Sequence, residues 1–206
     1  MGRPKGSRSP GYEARRAALA RKVFEAILVD GNPSLRTMAG HAQVSRPTLR
    51  HYFGDREGAV RAALLSAADA GRPHLDLLLE LPTHDARSCL RVALQLLVVG
   101  WRDHHVGHIH EVGLKVGLED DDTGHTYRGE ILDPLLATLQ QLIQRLVDAD
   151  RLGPVDLRAG ALMLASPVVV ALLHQHGLGG ATACPLDLDG LIDTVVDSFV
   201  RAHPPG

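Results

Sequence analysis

At 206 residues and 45% hydrophobic content, the chain is long enough to bury a substantial core, as one domain or two small ones. A net charge of −2 excludes a chain that is basic throughout, and two cysteines exclude a disulfide scaffold. Aromatic residues make up only 3%, so the core has to be built from Leu, Val and Ala.

Charge is unevenly placed. Arg3, Lys5, Arg8, Arg15, Arg16, Arg21 and Lys22 are opposed by a single acid, Glu13, while acids gather from Glu119 to Asp122 and between Asp187 and Asp197. A basic front on a more acidic body suits a DNA-facing end carried by a regulatory domain. No stretch reads as long and apolar enough to cross a bilayer, and no apolar signal segment follows the basic start. The expectation is a soluble, cytoplasmic protein with no membrane partner and with Cys89 and Cys184 reduced.

In chain order, residues 1–10 form a polar arm rich in Gly and Pro, expected to be flexible. Its Gly2-Arg3-Pro4-Lys5-Gly6 resembles an AT-hook, a short extended segment that lays arginine in the narrow minor groove of A/T-rich DNA. A first helix is predicted over 10–30, with Leu19, Val23, Ala26 and Ile27 at helical spacing and Gly31-Asn32-Pro33 as its stop. A second, over 35–42, has Ser34 as its cap. A third follows the cap Ser45, with Pro47 in its first turn, and reaches Phe53. Leu35, Met38, Ala39, Ala42, Val44 and Leu49 supply the core between these two, which leaves Arg46, Thr48, Arg50 and His51 pointing outward. This is the layout of a helix-turn-helix, whose second helix offers donors to the major groove.

The segment Val44-Ser45-x-x-x-Leu49-x-x-Tyr52-Phe53-x-x-Arg56-Glu57, preceded by Met38-Ala39-x-x-Ala42, resembles the signature of the tetracycline-repressor (TetR) family of transcription regulators. The resemblance covers the first quarter to third of the chain; beyond it only helix order and length match. It implies that Tyr52 and Arg56 grip the DNA backbone. Two positions depart from the pattern. Gln43 stands where the family has the turn glycine, so either it takes a positive φ or the turn differs. Arg50 stands where tyrosine is usual, which exchanges a hydroxyl contact for a cationic one.

The remainder reads as a helical body. A fourth helix opens at Gly54-Asp55-Arg56-Glu57 and is expected to end or kink at Gly71-Arg72-Pro73, with a Leu-rich turn or two over 74–81. A fifth runs from the cap Thr83 to about Asp103, and a sixth, weakened by glycine, covers 104–118. The acidic run Glu119 to Asp122 reads as a surface loop. A seventh covers 126–150, kinked at Pro134 or restarting from Asp133. The eighth, over 156–176, is apolar nearly all round, with a kink expected at Pro167, and is read as a bundle helix buried on two sides. A Gly-rich link over 178–185 leads to the ninth, over 188–202. The fold class is all-α: a three-helix DNA-binding head plus a helical-bundle regulatory and dimerisation body, about nine helices in all. The boundaries are an arm at 1–10, a head at 11–53 and a body at 54–206.

Functional candidates follow. The DNA set is Arg3, Lys5, Ser34, Thr37, Ser45, Arg46, Pro47, Thr48, Arg50, His51, Tyr52 and Arg56. Hydroxyls and helix-start N–H groups suit phosphate oxygens, and a guanidinium can span guanine O6 and N7. Trp101, His104, His105, His108 and Tyr127 are candidates to line a pocket for a small-molecule effector. His104, His105, His108 and His110 also raise a metal-responsive alternative, since His104 and His108 are four apart, but no Cys or HExxH motif accompanies them. Val168, Val169, Leu172, Leu191, Val195 and Phe199 are expected to pair with a second copy, giving a twofold dimer that reads a pseudo-palindromic operator. Catalysis is not expected, for the chain holds no nucleophile elbow, phosphate loop or metal-hydrolase motif, and no cofactor or structural metal is expected. The rival reading is a ligand-carrying or catalytic helical protein with a vestigial head.

Overall fold

Ser34 and Ser45 each start a helix, and the computed structural model, which describes residues 10–103 and 106–206, is helical on either side of them. The head comprises α1 (Pro10–Asp30), α2 (Leu35–His41) and α3 (Arg46–Phe53). α4 (Arg56–Leu79) leaves the head and enters the body. The body continues with α5 (Ala86–Asp103), α6 (Val106–Gly117), α7 (Asp121–Tyr127), α8 (Asp133–Asp148), α9 (Leu157–Leu172), α10 (Gly180–Ala183) and α11 (Leu188–Ala202). No strand occurs among the described residues. The surplus over the nine expected helices comes from α7 and the single-turn α10. The arm residues Arg3 and Lys5, with His104 and His105, lie outside the described residues.

Two hydrophobic cores run through the molecule. The first joins Leu90, Leu94, Leu139, Leu142, Ile143, Leu164, Val168, Ile192 and Phe199, from α5, α8, α9 and α11. The second holds Val23, Ile27, Met38 and Leu49 of the head together with Val60 and Leu64 of α4 and Ile109, Val112 and Val116 of α6. The head therefore packs directly onto two helices that lie outside it.

Several local expectations are corrected. α4 does not end at Gly71-Arg72-Pro73 but runs through Pro73 to Leu79. Its last turns are anchored by buried Leu78 and by Arg145 of α8, which donates to the Leu79 carbonyl and, at 3.1 Å, to that of Leu81. These are carbonyls a helix end leaves without partners, and a guanidinium also suits the negative end of the helix dipole. α5 is capped by Asp85 rather than Thr83: its carboxylate accepts the Ser88 N–H at 2.8 Å, and hydrogen bonds from Ser88 hold this carboxyl below its ordinary pKa. The acidic run is not simply a loop. Asp120 caps α7 by accepting the Thr123 N–H at 2.9 Å and is bridged by Arg61 of α4 at 2.7 Å. Those same contacts, from Thr123 first, lower its pKa.

Prolines inside the body helices are absorbed rather than disruptive. A π turn over Arg128–Leu132 links α7 to α8, which starts at Asp133 with Pro134 in its first turn. α9 continues past Pro167 and closes in a second π turn, Leu173–Gly177. Together these 21 residues are long and apolar enough to cross a membrane, contrary to expectation. One side of the helix is instead spent on the body's own core, through Gly160, Ala161, Leu164, Ala165, Val168, Ala171 and Leu172. α11 is held beside α5 by a surface ladder: Arg87 to Asp197, Arg91 to Asp193 at 3.1 Å, and Gln95 to Asp189 at 3.1 Å. One helix ascends by four as the other descends by four, so the rungs fix an antiparallel register. Each rung alone is exposed and adds little stability.

Replacing Arg145 by Ala is expected to destabilise the fold by about 1–3 kcal/mol, because part-buried carbonyls at the end of α4 lose their donor. Arg145→Lys, which keeps the charge but not the two-pronged geometry, should recover only part of this. Urea unfolding of the three proteins measures both.

Candidate functional site

The turn of the head is built twice from one device. Ser34 Oγ accepts the Thr37 N–H at 3.1 Å, and Ser45 Oγ accepts the Thr48 N–H at 3.2 Å. In each case the two hydroxyls also touch, at 2.9 and 2.8 Å. Between the caps Gln43 takes φ = 55°, the left-handed conformation its place in the turn demands. For a residue with a β-carbon this costs roughly 1–2 kcal/mol, which Val44 offsets in part by donating to the Ala39 carbonyl at 3.0 Å. α3 then buries Leu49 and Phe53 and leaves Arg46, Pro47, Arg50 and His51 exposed, with Thr48 and Tyr52 half-buried. Arg46 and Arg50 are one turn apart on one face, and neither meets an acid among the described residues.

Two residues missed in the sequence join this surface. Tyr12 of α1 stacks on Tyr52 with ring centroids 4.8 Å apart and meets His51 edge-on at 6.0 Å. Arg16, one turn later, lays its guanidinium 5.5 Å from the centre of the Phe53 ring. The i, i+4 spacing within the basic front was the available signal. Arg56, by contrast, is not presented with α3. Its guanidinium donates to the Pro33 carbonyl at 3.2 Å and to the Asn32 side chain, so it ties the α1–α2 turn to the start of α4.

In the body, Trp101 and Tyr127 are brought together through His110. The Trp101 and His110 rings stack 4.7 Å apart and nearly parallel, and His110 Nδ1 lies 2.8 Å from the Tyr127 hydroxyl. All three are buried. Burial pushes the His110 pKa down to about 4 and raises that of Tyr127. The glycines of α6 make room: a β-carbon at Gly107 would collide with the indole, and one at Gly113 with the Tyr127 ring. Tyr127 lines neither of the two clefts on this side of the body. One cleft, of about 140 Å³, is bounded by Trp101, Arg102, Gly107, His108, Glu111 and His176. Its neighbour, about 300 Å³, shares His108 and Glu111 and extends past Lys115 to Asp30, Gly31 and Asn32 of the head. His108 Nδ1 lies 2.7 Å from the Leu28 carbonyl in the last turn of α1. No three His, Cys, Asp or Glu side chains converge as metal ligands among the described residues.

The residues expected at a partner interface divide. Val168, Leu172 and Phe199 belong to the protomer's own core and are unavailable to a second chain. Val169 and Val195 are partly buried and packed against that core, and Leu191 is partly buried. The exposed stripe of α9 is instead Leu162, Met163, Ser166 and Val170, in which Leu162 is 42%, Met163 55% and Val170 63% exposed. An all-round apolar helix offers no periodicity to tell its two sides apart.

Solved structures resembling this chain include one described as a TetR-family transcriptional regulator from Mesorhizobium loti, at 15% identity over 95% of this chain and 99% of that one, with a TM-score of 0.70. FadR from Bacillus subtilis, solved in complex with stearoyl-CoA, matches at 15% identity over 89% of this chain and 96% of that one, with a TM-score of 0.64. Salmonella enterica GusR matches at 14% identity over 92% and 96%, with a TM-score of 0.65. The fold is thus that of TetR-family transcriptional regulators. No family model and no curated protein matches the chain.

Neutral His110 makes stability depend on pH. Its folded pKa of about 4 lies below the ordinary 6.5, so the unfolded chain binds the proton first as pH falls. The contribution is complete above pH 6.5 and is lost progressively toward pH 4, on the order of 3 kcal/mol in all. His110→Gln cannot titrate there, so the difference in urea midpoint between variant and parent should shrink as pH is lowered from 7.5 to 5.

Proposed function

We propose that this chain is a DNA-binding transcriptional regulator that acts as a homodimer and is released from its operator by a small-molecule effector. The observation that carries the reading is α3, a capped helix that leaves Arg46 and Arg50 side by side in solvent with no acid among the described residues to occupy them. Arg46, Arg50 and His51 are the base-reading candidates. Ser34, Thr37, Ser45, Pro47, Thr48 and Tyr52 line the helix starts and the backbone-facing edge, joined by Tyr12. Arg3 and Lys5 of the arm, residues 1–10, are assigned to the minor groove. Arg56 is left out, because its guanidinium is committed to Asn32 and Pro33.

Residues 11–53 act as the head and 54–206 as the body. The partner face is the α9 stripe of Leu162, Met163, Ser166 and Val170, flanked by Leu191 and Val195 of α11. Two such helices from each copy make a four-helix interface. It places two heads on half-sites about one helical turn, roughly 34–36 Å, apart. An effector bound in the body lowers operator affinity if it favours a different setting of α4 and α6, the helices on which the head is packed. The stearoyl-CoA bound by Bacillus subtilis FadR supports a ligand-receiving body on this architecture. Catalysis has no part in this reading.

Footprinting on DNA flanking the protein's own gene should reveal a protected pseudo-palindrome whose affinity falls steeply with salt. Arg50→Ala is expected to lose about 1–3 kcal/mol of discrimination at one base pair of each half-site. Sequence-indifferent binding that Arg46→Ala and Arg50→Ala leave unchanged would refute the assignment. Val170→Glu places a charge in the centre of the proposed partner face. Sedimentation should then report monomers with an intact circular dichroism spectrum, and operator binding should weaken with loss of the second half-site.

A further inference from the structure

The smaller cleft beside α6 holds groups whose chemistry is incomplete. Trp101 is 6% exposed, and its indole N–H is buried without an acceptor. The Glu111 carboxylate lies half-buried against Gly177 in the π turn after α9, and it makes no hydrogen bond or ion pair among the described residues. Arg102 at the rim likewise has no partner among the described residues. The indole N–H abuts Gly107, and Gly107 and Glu111 are four apart on one helix. The indole N–H and the β-carbon of Glu111 therefore lie about one helical turn, roughly 5–6 Å, apart along α6. The indole cannot be redirected easily. The indole is clamped by its stack on His110, which the Tyr127 hydroxyl holds in turn.

We propose that this cleft binds a compact zwitterion of the amino-acid type and is the effector site of the regulator. The carboxylate of such a molecule is received by the Arg102 guanidinium beside the Trp101 indole, and its ammonium group by Glu111. A simple anion would meet Glu111, and a simple cation would meet Arg102; only a molecule carrying both charges satisfies both walls. At about 140 Å³ the cleft is small beside ligand pockets of roughly 300–1,000 Å³, which suits a molecule of few heavy atoms. Such a ligand bears on regulation only if the head binds DNA as proposed. Its binding is read without DNA, so the two can fail separately.

Trp101 is the only tryptophan in the chain, so intrinsic fluorescence of the full-length protein reports on this wall. Titration with the standard amino acids, one at a time at up to millimolar concentration, is expected to give a saturable change with at least one. Acetate and methylammonium, the two halves of the charge pattern, should each bind about tenfold more weakly or worse. Glu111→Gln and Arg102→Gln should each raise the Kd of the responsive amino acid by about tenfold or more, with melting temperature unchanged to show that the fold is intact. The proposal is overturned by the absence of a saturable response from any amino acid, by acetate or methylammonium binding as tightly as the whole molecule, or by an unchanged Kd in either variant.

Discussion

The head cannot close its own core. α1, α2 and α3 together offer too little apolar surface to exclude water, as expected for so short a chain segment. The deficit is made good from outside: Val60 and Leu64 of α4 and Ile109, Val112 and Val116 of α6 complete the cluster around Ile27, Met38 and Leu49. At about 25 cal/mol per Å² of apolar area withdrawn from water, this shared burial outweighs any single polar contact between head and body. Head orientation is therefore set by where α4 and α6 lie.

That constraint gives the polar contacts their meaning. His108 of α6 reaches the carbonyl of Leu28 at the end of α1, and Arg61 of α4 reaches Asp120 where α6 gives way to α7. Each is modest alone, but both join elements already bound by the shared core, so displacement of α6 is transmitted rather than absorbed. The cleft lined by Trp101 and Glu111 takes Gly107, His108 and Glu111 of its wall from this helix. A molecule seated there would touch the helix on which the head is packed, and His108 belongs both to the wall of the cleft and to the contact with α1.

Local chemistry was legible in the sequence where one residue decides the outcome. Ser34 and Ser45 act as caps because a hydroxyl three residues ahead of an unpaired N–H has few better uses. α11 occupies the expected span because its apolar stripe is clean and its flanks are polar. Legibility failed where the deciding partner is distant. Nothing near Pro73 announces that Arg145, far along the chain, will hold the end of α4. Nothing in the run from Leu157 to Leu172 says that Val168 and Leu172 turn inward while Met163 and Val170 turn outward. Trp101 and Tyr127 are brought together through His110, a pairing that depends on three different helices and leaves Tyr127 outside both clefts.

The arginines show why composition alone underdetermines a DNA-binding surface. Arg56, Arg61, Arg87, Arg91 and Arg145 are each matched to an acid, an amide or a carbonyl within the fold. Charge spent in this way cannot release counterions from a phosphate backbone without first breaking an internal contact. Arg46 and Arg50 differ in having no such partner among the described residues, and both stand on the helix whose other face is sealed by Leu49 and Phe53. A near-neutral protein can therefore bind DNA strongly at one end. What counts is not the sum of charges but which cations the fold leaves unpaired, and how rigidly the apolar face behind them fixes their direction.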